Sequence, residues 1–110
     1  MYTASLPLAP ALEALRGGQQ ALDSSLDEAW KRVEEGEPHI EALLPETNRR
    51  ERLLQESTAL RERFPEANQR PPLYGALLGI KDLFILDGFA THAGSQLPTE
   101  LFVGPEASCI

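Results

Sequence analysis

Cysteine is nearly absent from this chain of 110 residues: Cys109 stands alone, which excludes an internal disulfide and a cysteine metal cluster. It reads as a small apolar residue at a helix start, with a reactive thiol a distant second. Histidine is almost as scarce. His39 and His92 lie far apart with no carboxylates at ligand spacing, a poor basis for a metal site. Basic residues are outnumbered, 10 against 17 acids, for a net charge of −7. That balance argues against direct binding of nucleic acid or of an anionic membrane, because no basic groove can be built. No apolar run approaches membrane-spanning length, and the N-terminal Met-Tyr-Thr-Ala-Ser-Leu-Pro lacks the basic start and continuous apolar stretch of a secretory signal, so the expected location is the cytoplasm. Repeats, low-complexity tracts and coiled-coil heptads are missing as well.

What is present begins as helix. A hydrophobic content of 42% is ordinary for a globular chain, and the length suits one domain. After an irregular lead, a short helix is predicted from about Ala11 to Arg16, closed by Gly17-Gly18. Ser25 and Glu28 have capping-box spacing, and Leu26, Ala29, Trp30 and Val33 mark one buried face of a second helix ending at Gly36 and Pro38. His39 to Leu44 reads as a brief extended segment. Pro45 suits the first turn of a third helix running to about Phe64, with Leu53, Leu54, Leu60 and Phe64 on its apolar face and its charged residues solvated. Pro65 stops it, and Glu66 to Pro72 reads as a polar linker.

Beyond the linker the pattern changes. Ala76 to Ile80 is apolar on both alternating faces, the pattern of a strand buried inside a sheet, and Phe84 to Leu86 reads as a second strand before a turn at Asp87-Gly88. A further helix is expected from Pro105. Lys81 closes the first of these strands, where an ammonium is expensive to keep charged. A lysine at a strand end ordinarily snorkels to the surface or pairs with a carboxylate, and Asp82 or Asp87 would serve.

The ordered residues Pro72, Leu73, Gly75, Gly79, Lys81 and Asp82, then Gly88, Thr91, Ala93, Gly94 and Ser95, then Pro105, Glu106, Ala107 and Ser108, resemble the start of the amidase signature family. One departure is local: Ala76-Leu77 stands where the family has Ile-Pro, restoring a backbone donor at Leu77. The resemblance implies an α/β fold, with N-terminal helices followed by the first strands of a mixed sheet, incomplete in this chain. In that reading residues 1–110 are the N-terminal part of a single amidase domain, with a helical lead over 1–70 and a strand-bearing segment over 71–110. It further implies an amidase, either an amide-bond hydrolase or an amidase subunit of an amidotransferase, using a Ser-cisSer-Lys triad on a small-molecule amide without a cofactor. Lys81 matches the catalytic lysine. Neither serine has a match, since Ser24-Ser25 precedes the lysine in a helix-start context, so the fragment itself is expected to be inactive.

The chemistry explains the residue type. To take a proton from a serine a lysine must spend time as a neutral amine, which burial or neighbouring dipoles promote, whereas an arginine stays charged. Asp82 is expected on the opposite face, accepting hydrogen bonds from the loop that follows. Ser95 lacks the Gly-x-Ser-x-Gly elbow and reads as a turn serine beside Gly94. The Gly75 to Lys81 run is not a phosphate loop, because its lysine follows no glycine and precedes no Ser or Thr. A non-enzymatic alternative is a small acidic helical module, whose first three helices would bind a protein partner.

Overall fold

The computed structural model describes residues 7–110, which fall into two compact units, 7–76 and 77–110. The first unit is built on α1 (Leu8–Gly17), α2 (Leu22–Ile40) and α3 (Arg49–Arg63), followed by a short 3-10 turn over Ala67–Gln69.

In α1 Pro10 sits in the first turn, where a missing backbone N–H removes no helical bond. The helix stops because Gly18 turns left-handed at φ 79° and returns its N–H to the Leu15 carbonyl. Leu12 and Leu15, one turn apart, are its buried residues. They meet Leu22 at the start of α2 and Tyr74, which is 2% exposed, with Leu60, Phe64 and Ala76 packed around them. This aliphatic cluster around one tyrosine is the core of the unit.

The start of α2 lies earlier than the capping box predicts. Ala21 is the residue before the helix, and Ser25 already donates its backbone N–H to the Ala21 carbonyl at 3.0 Å. The helix also continues through Gly36 and Pro38, because a proline one turn from the end gives up a single helical bond. It ends where Glu41 turns left-handed at φ 51° and donates to the Glu37 carbonyl. His39 and Ile40 are therefore helical, not extended.

Helix α3 packs on α2 through polar pairs. The Asp23 carboxylate accepts from Ser57 Oγ at 2.9 Å and from the Arg61 guanidinium at 2.6 Å, and Asp27 accepts from Arg50 at 2.9 Å. Residues that the periodicity assigns to a solvated face thus face the neighbouring helix. Pro45 does not start α3; the 45–48 segment precedes it, and Glu46 there accepts from both Arg49 and Arg52.

The expected α/β fold is overturned. Among the described residues there is no strand and no sheet; the regular structure is helical. Ala76 to Ile80 and Phe84 to Leu86 form no ladder, and Leu77, Leu78 and Ile80 stand 50%, 75% and 40% exposed. A strand is made by hydrogen-bonding neighbours, and none of the described residues pairs with this run. The second unit, 77–110, consists of turns and one 3-10 segment, Thr99–Phe102. The helix expected from Pro105 is a bend, in which Ala107 N–H donates to the Ile85 carbonyl at 2.9 Å and the Glu106 carboxylate accepts from the Asp87 N–H at 2.9 Å.

Candidate functional site around Lys81

Within the second unit Lys81 is exposed, and no ion pair to it forms among the described residues. Its backbone is held more firmly than its side chain. The Lys81 carbonyl accepts from the Leu83 N–H at 2.8 Å and the Phe84 N–H at 3.1 Å, which bends the chain immediately after the lysine.

Asp82, half-buried, is the centre of the arrangement. Its Oδ1 accepts from the His92 N–H at 3.0 Å, and its carbonyl accepts from the Ala93 N–H at 2.9 Å. One residue thus binds two successive amides of a loop ten positions downstream. The approach is made possible by the turn at Asp87-Gly88, where Gly88 has φ 85° and Phe89 donates to the Leu86 carbonyl at 3.1 Å. Thr91, 6% exposed, places its hydroxyl 3.5 Å from the Phe84 carbonyl and closes the inner side of the loop.

Beyond Asp82 the loop turns through Ala93 at φ 51° and Gly94 at φ 67°. Alanine in the left-handed region costs roughly 1 kcal/mol or more, so the bonds to Asp82 and Ser95 have a strain to offset. Ser95 donates its hydroxyl to the His92 carbonyl at 3.0 Å and accepts from the Leu97 N–H at 3.2 Å. Asp82, His92 and Ser95 are the residue types of a proton-relay triad brought into one loop, yet the geometry is not that of a relay. The serine hydroxyl is engaged by backbone, and His92 Nδ1 lies 3.7 Å from Asp82 Oδ2 without a hydrogen bond.

The remaining candidates are separate. Ser24 and Ser25 lie in the first turns of α2, His39 is exposed at its C-terminal end, and Cys109 is exposed. No group of three His, Cys, Asp or Glu side chains is placed to hold a metal among the described residues, and no helix of them is long and apolar enough to cross a membrane. The sequence reading of Asp82 as an acceptor for the loop that follows agrees with the bond from the His92 N–H, though it does not name His92 as the donor.

No family model matches the chain, and no solved structure does. The chain is similar to one subunit of the glutamyl-tRNA(Gln) amidotransferase of Halorhodospira halophila, with 33% identity over 84 residues. The match takes in 76% of this chain and 17% of the relative, so the chain spans about a sixth of that protein's length. A stretch of that extent in 110 residues necessarily includes Lys81 and Asp82. The similarity points to amidase-type enzymes, those that act on carboxamide bonds.

Proposed function

We propose that this chain is the lysine-bearing N-terminal portion of an amidase that hydrolyses a carboxamide C–N bond by a Ser-cisSer-Lys mechanism. In this reading a serine from a later Gly/Ser-rich segment attacks the amide carbonyl, and a second serine with a cis peptide bond relays its proton to Lys81. The acyl-enzyme forms as the C–N bond breaks, and the relay returns the proton to the departing nitrogen before water releases the acid. Backbone donors of the same later segment hold the oxyanion. The observation that carries the reading is the similarity to an amidotransferase over a stretch containing Lys81, together with the ordered matches from Pro72 to Ser108.

The test is amide turnover by a polypeptide that joins this segment to its serine region. Lys81→Ala is expected to lower the rate by a factor of roughly 100 or more, and Lys81→Arg to rescue little. A near-normal rate in either variant removes Lys81 from the mechanism. The chain of 110 residues alone is expected to show no steady turnover, and turnover abolished by Ser95→Ala would relocate the chemistry to this loop.

A further inference from the structure

We propose that Asp82 is a positioning residue for Lys81, acting through the loop 91–95. The inference rests on Lys81 serving as the base. A side chain that exchanges a proton with a reacting group must be held to within about 0.5 Å of its working position. Lys81 has no regular element to do this. It follows a run with no ladder bonds among the described residues, and its own side chain is exposed.

What fixes the peptide that carries Lys81 lies on its C-terminal side. The Lys81 carbonyl is occupied by the Leu83 and Phe84 amides, while the Asp82 carbonyl and carboxylate are occupied by Ala93 and His92. These ties hold the Lys81-Asp82 dipeptide from both ends of the turn. The carboxylate bond joins an ionised acceptor to a backbone donor, the stronger class of hydrogen bond. Geometry adds a second consequence. The Asp82 carboxylate is turned toward the loop and forms no ion pair with the adjacent Lys81 ammonium. The carboxylate is thus committed to holding the loop.

The experiment uses the polypeptide carrying this segment together with its serine region, probed with a fluorophosphonate. The serine oxygen forms a bond to phosphorus, the P–F bond breaks, fluoride leaves, and the serine proton passes to the base. Labelling therefore reports base function whatever the natural amide. Rates are taken per folded molecule and separated into kinact and KI. Asp82→Ala is expected to lower kinact about 100-fold with KI little changed, the size of effect that a misplacement of about 1 Å produces. Asp82→Asn keeps an oxygen for the His92 N–H and is expected to recover kinact to within about tenfold of the parent. Asp82→Glu covers the case in which alanine does not fold: its extra methylene displaces the loop, and kinact is expected to fall about tenfold.

Unchanged kinact in folded Asp82→Ala or Asp82→Glu, with only a lowered melting temperature, overturns the positioning role and leaves the proposed function standing. Unchanged labelling in Lys81→Ala overturns the proposed function itself.

Discussion

The Arg70 guanidinium lies over the Tyr74 ring, its central carbon 4.8 Å from the ring centroid. From there it donates to the Leu15 and Arg16 carbonyls at 3.1 Å and, at 3.4 Å, to those of Phe64 and Pro65. Carbonyls at the end of α1 and just beyond α3, including the Leu15 carbonyl that Gly18 also engages, thus converge on one planar cation, which joins the two helix ends.

Arg70→Ala is accordingly expected to destabilise the helical unit by about 2 to 3 kcal/mol, through lost carbonyl ligation and the lost contact with Tyr74. Arg70→Lys should recover less than half, because a compact ammonium cannot reach four carbonyls in one plane. Urea unfolding followed by helical circular dichroism measures both, and a loss below about 0.5 kcal/mol for alanine would show the site to be incidental.

Gly75 and Gly18 allow backbone strain to be separated from crowding. Both are left-handed, at φ 78° and φ 79°. A Cβ at Gly18 meets nothing closer than Arg70 Nη1 at 3.7 Å, whereas one at Gly75 collides with Leu22 Cδ2 and comes within 3.2 Å of Leu15 Cδ1. Gly18→Ala should cost about 1 to 2 kcal/mol from φ alone, and Gly75→Ala about 1 to 3 kcal/mol more, since both leucines are core residues that cannot yield freely. Equal losses in the two variants would contradict the crowding argument.

The link between α2 and α3 should titrate in acid. The hydrogen bond from Arg61, then that from Ser57, holds the Asp23 carboxyl below its usual range, and Arg52 does the same for Glu46. A carboxyl depressed in the folded state contributes stability that is fully present above its unfolded value, near 4, and is lost as pH falls through the lower folded value. Stability of the parent should therefore decline below about pH 4, and Asp23→Asn should flatten part of that decline while leaving the chain weaker at neutral pH. An acid limb of the same steepness in parent and variant would assign the pH dependence elsewhere. Because Asp23 is well exposed, the effect should shrink in high salt.

Much of the helical half is legible in the residues. Leu26 is buried and Ala29, Trp30 and Val33 are less so, in keeping with the three-and-four spacing of α2, and Gly18 stops α1 by the left-handed turn that glycine favours. Helix ends are less legible, since Pro38 and Pro45 carry a bias that one lost bond or an arginine-bound Glu46 can override. The polar face of α3 misleads for another reason: amphipathic spacing assigns charge to solvent, and cannot see that Asp23 on α2 stands opposite Ser57 and Arg61. The strand reading fails at Ala76 to Ile80 because an apolar run reports what a segment would bury, not whether a partner is there to bury it. Lys81 and Asp82 are legible as a motif, and so is the role of Asp82 as acceptor for the following loop, while the choice of His92 as its donor depends on a loop path that no local pattern specifies.

The exposed run makes the sharpest test of the structure. Among the described residues no backbone bond holds the amides of Leu77, Leu78, Gly79 and Ile80, whereas those within α2 and α3 are held by helical bonds. Hydrogen exchange on the monomeric chain should then divide along that line. Amides from Leu26 to Val33 and from Leu53 to Leu60 should exchange slowly, through opening of the helical unit, and those from Leu77 to Ile80 within the dead time of the experiment. The Ala93 amide, donated to the Asp82 carbonyl at 2.9 Å, should fall between the two, since its bond sits in a loop without a large core behind it. Slow exchange at Leu77 to Ile80 would mean that this run pairs with backbone in solution, and the helical architecture would need to be revised to include it.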